Sequence, residues 1–129
     1  METERQLYFP WLGYFALHGE NIIGTGGFKN TPNQSRRSGH VEIAYEVFEE
    51  YRGQGLGKKI CNKLVDLAKD QPLCHRLIAL VDLDNHKSEK VLLSNGFSLE
   101  RQVEEMDGNL SNLWSLQLEK EKLATSIIH

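Results

Sequence analysis

The stretch EEYRGQGLGKK, residues 49–59, decides the fold, because it places three glycines on alternate positions between two different kinds of segment. Before it, HVEIAYEVF (40–48) alternates apolar and polar residues, which is typical of a strand. After it, apolar residues recur at helical spacing from Leu56 to Ala68, which predicts an amphipathic helix. The stretch therefore predicts an anion site, since the first backbone N–H groups of a helix lack internal partners.

The rest of the chain predicts five more strands and a second, shorter helix. The strands are WLGYFAL (11–17), IIGTGGF (22–28), RLIALVDL (76–83), FSLERQVEEM (97–106) and LSNLWSLQLE (110–119). Asn85 is placed to cap the short helix at its start, and Gly96 follows its end. The predicted order is β-β-β-α-β-α-β-β, and the two strands that flank the long helix run parallel through a right-handed crossover. The nearly continuous apolar run at 76–83 predicts a central strand that is covered on both faces.

Length and composition predict one soluble domain over residues 1–129, with 120–129 as a tail, and the order of its elements makes it an α/β domain. The net charge of -3 argues against nucleic acid as a partner, because there is no basic excess to neutralise phosphates. No apolar run is long enough to cross a membrane, and the first ten residues do not resemble a secretory signal, so we expect a cytoplasmic protein. Cys61 and Cys74 have no metal-ligand spacing, so we expect packing residues and no metal site.

The glycine spacing distinguishes between several phosphate-binding loops. A dinucleotide fingerprint needs a glycine where this chain has Lys58, and a Walker A loop needs a glycine at Arg52 and a serine or threonine at Lys59. Both patterns fail, and R-x-x-G-x-G over residues 52–57 remains. On this motif alone, a plain glycine turn between a strand and a helix is an open alternative.

With its context, the motif resembles the GNAT superfamily of acyl-CoA-dependent N-acyltransferases, in which [Q/R]-x-x-G-x-[G/A] binds the pyrophosphate of coenzyme A through main-chain amides. The resemblance runs from about Tyr14 to Leu118. Three blocks occur in the family's order: GTGGF (24–28), VEIAYEVFEEYRGQGLG (41–57) and DNHKSEKVLLSNGF (84–97). The last block is nearest the ribosomal-protein N-terminal acetyltransferase branch, whose pattern N-x-x-S-x-x-x-L-x-x-x-G-F fits Asn85, Ser88, Leu92, Gly96 and Phe97. The resemblance implies a mostly antiparallel sheet with a parallel pair splayed at the cofactor site.

The resemblance also implies acetyl-CoA as the acyl donor and a primary amine, in a protein N-terminus or a small molecule, as the acceptor. The amine would attack directly in a ternary complex. The main chain of residues 45–47 would pair with the pantetheine arm like an added strand, with the Val47 amide facing the thioester oxygen. The residues implied to bind the cofactor lie at the end of the third strand, in the glycine loop and before the short helix: Tyr45, Glu46, Val47, Arg52, Gly53, Gln54, Gly55, Leu56, Gly57, Lys58 and Asn85.

Glu42 matches a strand glutamate that some family members use as a general base. Its alternative is an outward-facing strand carboxylate without a catalytic role. Glu46 lies on the same face by strand alternation and is the reserve candidate, while His40 at the strand start is a weaker one. Arg36 and Arg37 are candidates for the 3′-phosphate of coenzyme A, or form a solvated pair in a loop.

Leu92 departs from the broader family, in which many members place a tyrosine as the general acid for the leaving thiolate. Ser88 is a candidate replacement, because its hydroxyl would lie near the cofactor sulfur. The alternative for Ser88 is a serine at a helix start that bonds its own backbone.

Family members usually begin with a strand and two helices before the hairpin, whereas this chain has about ten residues ahead of Trp11. The resemblance therefore predicts a complete cofactor half and a reduced acceptor half. Three explanations stay open: an enzyme with an open acceptor site, a homodimer whose neighbour supplies the missing wall, and a coenzyme A-binding module without transfer activity. Tyr8, Phe9 and Trp11 are the residues that an interface would use.

Overall fold

A computed structural model describes residues 13–34 and 38–119. Within them lie six strands and two α-helices: β1 (Gly13–His18), β2 (Asn21–Phe28), β3 (His40–Val47), α1 (Leu56–Lys69), β4 (Arg76–Asp82), α2 (His86–Ser94), β5 (Ser98–Glu104) and β6 (Leu110–Gln117). A single 3-10 turn, Glu49–Tyr51, separates β3 from the glycines. The predicted element order and the mixed α/β class are confirmed.

The strands form one sheet in the order β1-β2-β3-β4-β6-β5. Neighbouring strands are antiparallel except for β3 and β4, which are parallel as predicted. Their pairing covers only three residue pairs, from His40 with Arg76 to Glu42 with Ile78. Beyond Glu42 the two strands separate, so the sheet opens towards their carboxyl ends. The predicted splay of the parallel pair is confirmed.

The core lies on one face of the sheet, here called the helix face. It combines alternate residues of β3 and β4, such as Val41 and Leu77, with Ile60 of α1 and Leu92 of α2. Cys61 is buried in the same cluster and is not in a disulfide, as expected of a packing residue. Full burial of one such leucine stabilises the fold by about 1.5–3 kcal/mol. Both helices therefore stabilise the same face of the sheet.

The prediction that β4 is covered on both faces is wrong for the far face, which is the face opposite the helices. Leu77, Ala79 and Val81 point to the helix face and are buried, whereas Ile78 and Leu80 point to the far face and are half-buried. An apolar run does not reveal on which side the helices pack, and here both described helices pack on the same side.

The turns and caps follow the predicted residues. The β1–β2 hairpin closes through Gly19, whose φ is +64°, and the β5–β6 hairpin through Gly108, whose φ is +86°. The Asn85 side chain accepts a hydrogen bond from the Ser88 amide at 3.2 Å, and Gly96 follows α2 with a φ of +89°. Positive φ favours glycine because a side chain is strained there.

Several predictions fall on parts of the chain outside the described residues. They are the interface residues Tyr8, Phe9 and Trp11, the phosphate candidates Arg36 and Arg37, and the tail at 120–129. The predicted homodimer stays a prediction. Neither α1 nor α2 is long and apolar enough to span a membrane.

Candidate functional site

The glycine loop turns the chain from β3 into α1 with two residues in the left-handed region. Gly53 has a φ of +84° and Gly55 a φ of +75°. A side chain in this conformation costs about 1–2 kcal/mol, so both positions favour glycine. A Cβ atom built on either residue would meet no atom within 4 Å. The loop therefore leaves open space beside its backbone.

The start of α1 is electropositive and has no side-chain cap. Gly55 occupies the N-cap position, and no side chain accepts a hydrogen bond there. The amides of Leu56, Gly57 and Lys58 begin the helix and have no intrahelical acceptor. The first turn contains no acidic residue, while Lys58 and Lys59 lie within it. Positive side chains are unfavourable at this end of a helix, because the helix dipole is also positive here. A bound anion would offset both, so the arrangement is typical of an anion site.

The end of β3 presents a free backbone edge to the splay. The Lys29 amide donates to the Glu42 carbonyl, and the Phe48 amide donates to the Ile23 carbonyl, each at 2.8 Å. The backbone N–H and C=O groups of successive strand residues point alternately to the two neighbouring strands. Since those of Glu42 and Phe48 point to β2, those of Tyr45 and Val47 point away from β2. They face the side where pairing with β4 has already ended. The Arg52 side chain donates from Nε to the Val47 carbonyl at 2.9 Å and leaves the Val47 amide directed into the splay.

These elements surround a cleft of about 480 Å³, here called the glycine cleft. Every residue predicted to bind the cofactor lines it except Gln54, which is exposed elsewhere on the loop. Lys87 also lines it and was not predicted. The sequence feature that could have predicted Lys87 as a lining residue is its position in the first turn of α2, next to the cap residue Asn85. The other lining residues that were not predicted to bind the cofactor are Tyr51, Ser88 and Val91.

A second cavity of about 320 Å³, here called the strand cavity, lies between the separated parts of β3 and β4. Its polar lining residues are Lys29, Glu42, Asp82, Asn85, Ser88, Glu105 and Ser111. Asn85 and Ser88 line both spaces, so the start of α2 lies between the glycine cleft and the strand cavity.

Glu42 is held on the far face by bonds to both its main chain and its side chain. Its amide donates to Asn30 Oδ1 at 2.9 Å, and its carboxylate Oε2 lies 3.3 Å from Lys29 Nζ. Its side chain is only 21% exposed. Glu46 lies on the same face, as predicted, and is exposed, whereas His40 lies at the opposite end of β3 from the glycine loop. Glu42 and Glu46 are therefore the carboxylates of β3 near the splay.

Leu92 is fully buried, so an apolar side chain occupies the position where many family members have a tyrosine.

Tyr45 lines the glycine cleft, but its hydroxyl is buried and has no hydrogen-bond partner among the described residues. Burial, and then the nearby Cys61, raise the pKa of Tyr45, and burial raises the pKa of Cys61 to about 12. Both groups therefore stay protonated at neutral pH. Ser88 is the polar side chain of α2 that lines both spaces at this point.

Residues 1–97 match the family described as "Acetyltransferase (GNAT) family". Among curated proteins, the chain is similar to the uncharacterized N-acetyltransferase p20 of Bacillus licheniformis, with 29% identity over 108 residues. That match covers 81% of this chain and 59% of the relative, so the chain spans well under two thirds of the relative's length.

The fold is shared with solved acetyltransferase structures. A ribosomal-protein-S5-alanine acetyltransferase from Vibrio fischeri superposes with a TM-score of 0.76 at 24% identity, over 92% of this chain and 67% of that one. The putative acetyltransferase yncA from Salmonella typhimurium, solved with acetyl-CoA, superposes with a TM-score of 0.75 at 22% identity, over 92% and 70%. These superpositions show that the described strands and helices form the fold of that family.

Proposed function

Since the chain belongs to the GNAT acetyltransferase family, we propose that it transfers an acetyl group from acetyl-CoA to a primary amine. The amine belongs to a protein N-terminus or to a small molecule, and it attacks directly while both substrates are bound. The relatives support this reaction class, because p20 is named an N-acetyltransferase and yncA was solved with acetyl-CoA.

The observation that supports the proposal most is that two groups of backbone atoms, unpaired among the described residues, line the same glycine cleft. The uncapped start of α1 offers amides and positive charge to a pyrophosphate, while the free edge at Tyr45 and Val47 offers a strand to the pantetheine arm. The open space beside Gly53 and Gly55 leaves room for phosphate oxygens. A plain glycine turn would explain the left-handed backbone, but it would not explain the lysines in the first turn or the free edge.

Acetyl-CoA, when bound, supplies an activated thioester. Glu42 accepts the proton of the attacking amine, and the Val47 amide donates a hydrogen bond to the thioester oxygen. The new N–C bond forms as the C–S bond breaks, and the sulfur leaves as a thiolate. The Ser88 hydroxyl stabilises that thiolate by a hydrogen bond. Holding both reactants beside the splay supplies much of the acceleration, because a reaction between two molecules becomes a reaction within one complex.

Titration calorimetry with acetyl-CoA tests the cofactor site, and NADH serves as the control ligand. We expect micromolar binding of acetyl-CoA and none of NADH. A screen of primary amines for release of the coenzyme A thiol then tests transfer. Equal binding of the two ligands, or no binding at millimolar acetyl-CoA, would contradict the proposal.

A second candidate is a coenzyme A-binding domain that catalyses no transfer. Two observations favour it: the carboxylate of Glu42 is already paired with Lys29, and Leu92 replaces the tyrosine. Both candidates predict binding of acetyl-CoA in the glycine cleft. Only the enzyme predicts amine-dependent thiol release that Glu42→Gln slows while the affinity for acetyl-CoA is unchanged.

A further inference from the structure

Helix α2 has nine residues, and its start supplies lining residues to both the glycine cleft and the strand cavity. Asn85 and Ser88 line both spaces, and Lys87 lines the glycine cleft. The glycine loop, which also lines the cleft, leads into a different helix, α1. The shape of the glycine cleft therefore depends on how α2 is held against α1.

One side of α2 packs against the start of α1. Val91 and Asn95 are four residues apart, so they lie on the same side of the helix. A Cβ atom built on Gly57 would lie 3.6 Å from Val91 Cγ2, which places Val91 directly beside the first turn of α1. Asn95, at the end of α2, continues this contact with polar groups.

The side-chain amide of Asn95 joins the two helices. Its Nδ2 donates to the Lys58 carbonyl at 3.4 Å and to the Val91 carbonyl at 3.1 Å, while its Oδ1 accepts from Asn62 Nδ2 at 3.3 Å. Lys58 and Asn62 belong to α1, so we call these bonds the asparagine bridge. The reverse orientation of the Asn95 amide would place Oδ1 against two carbonyl oxygens, so the network favours one orientation.

The asparagine bridge does more than close the last turn of α2. Ser94, the preceding residue, donates to the same Val91 carbonyl at 2.7 Å and so contributes to this helix end. The bonds of Asn95 to Lys58 and Asn62 cross to α1 instead. Because Lys58 lies in the first turn of α1 and lines the glycine cleft, the bridge links the end of α2 to the proposed cofactor site.

We propose that Asn95 is a positioning residue, which holds the first turn of α2 at a fixed distance from the glycine loop through the asparagine bridge. Asn95 is not among the residues that line the glycine cleft, so it acts on a ligand through the lining residues of that turn. A helix that is already in place does not have to be ordered when the ligand binds, which strengthens binding. This inference rests on the proposed function, because the ligand in question is acetyl-CoA.

Calorimetric titration with acetyl-CoA tests the inference in the full chain. We expect Asn95→Ala, which removes the bridge, to raise the Kd for acetyl-CoA by about fivefold, the effect of one lost hydrogen bond. We expect Asn62→Ala, which removes one bond of the bridge, to raise it by about twofold. Since both residues act through one network, the double variant should bind no more weakly than Asn95→Ala alone. An unchanged Kd in Asn95→Ala would overturn the inference.

Ser94→Ala is the matched control, because it also removes a hydrogen bond to the Val91 carbonyl but leaves the asparagine bridge in place. Its Kd for acetyl-CoA should stay within about twofold of the wild-type value. Denaturant unfolding shows that each variant is folded at the temperature of the titration. An equal rise of Kd in Ser94→Ala and Asn95→Ala would overturn the inference, because the loosened end of α2 alone would then explain the loss.

Amide resonances of the ¹⁵N-labelled protein without ligand test the positioning separately from the proposed function. We expect Asn95→Ala to shift the amides of residues 85–88, at the opposite end of α2, and Ser94→Ala to leave them in place. Shifts confined to the residues next to position 95 would overturn the inference. Wild-type protein that does not bind acetyl-CoA would refute the proposed function, whereas equal binding by wild type and Asn95→Ala would refute only the positioning role.

Discussion

The glycine cleft and the strand cavity lie on either side of the start of α2 and share Asn85 and Ser88, but the rest of their linings differs. The backbone elements of the glycine cleft are left-handed glycines, the first amides of α1 and the edge of β3 beyond its pairing with β4. The strand cavity is made by side chains that come from β3, β4, β6 and the turn after β5. We infer that the first space holds a ligand common to the family, whereas the second contains Glu42, the candidate general base. Substitutions should therefore act differently in the two regions.

The largest effect is expected from Gly55→Glu, which puts a carboxylate beside the amides at the start of α1. We expect acetyl-CoA binding to weaken by at least about a hundredfold, because a negative charge replaces the space for a phosphate. The left-handed backbone also predicts a loss of about 1–2 kcal/mol in the free energy of unfolding. Calorimetry and denaturant unfolding measure the two effects.

Gly108→Glu is the control for Gly55→Glu, because Gly108 has a φ of +86° and the same open space but lies in the β5–β6 hairpin. It should lower stability by a similar amount and leave acetyl-CoA binding intact. Equal loss of binding in both variants would mean that strain, and not the site, explains the result.

Glu42→Gln is expected to give the next largest effect, this time in the strand cavity. Loss of a general base lowers kcat by about a hundredfold, while the Kd for acetyl-CoA stays within about twofold. Single-turnover thiol release and calorimetry measure these quantities. If Glu46→Gln slows the reaction and Glu42→Gln does not, Glu46 is the general base. The role of Glu42 would then be limited to its ion pair with Lys29.

Leu92→Tyr tests whether the core beneath both spaces tolerates the tyrosine found in many family members. Leu92 is fully buried, so we expect the larger side chain to lower the free energy of unfolding by about 1–3 kcal/mol without raising kcat. Leu93→Tyr is the matched control, because its neighbour Leu93 is 57% exposed and should shift stability by less than about 0.5 kcal/mol. A faster and equally stable Leu92→Tyr enzyme would show that the missing acid limits the reaction.

The smallest effect is expected from Gly57→Ala, although Gly57 belongs to the glycine motif. A Cβ atom here would lie 3.6 Å from Val91 Cγ2 and 3.7 Å from Val47 Cγ2, which are ordinary contacts. Alanine favours a helix over glycine by about 1 kcal/mol, so stability should rise slightly and binding should be kept. Loss of binding in Gly57→Ala would mean that a ligand approaches this Cα more closely than we propose.

The glycine loop of the cleft was predictable from sequence, because glycine spacing reports directly on backbone conformation, whereas the strand edge at residues 45–47 was predicted from the family resemblance. The alternation of 40–48 also placed Glu42 and Glu46 on one face, as observed. The role of Lys87 in lining the cleft was missed, because a lysine in the first turn of a helix is usually only a solvated side chain.

The strand cavity was not predictable, because its residues are brought together by long-range register. The pairing of Asp82 with Ser111 depends on how β6 docks on β4, and the β5–β6 ladder contains an irregularity between Leu99 and Arg101. Neither feature leaves a local sequence signal. The apolar run of β4 likewise did not reveal which face the helices cover.

The central claim, that backbone amides hold the cofactor, is tested most directly by following the amide resonances of the ¹⁵N-labelled protein during titration with acetyl-CoA. We predict that the largest shifts occur at residues 53–58 and at Val47, with little change in the β5–β6 hairpin. NADH should produce no comparable shifts. Shifts concentrated outside the glycine cleft, or equal shifts with NADH, would contradict the account.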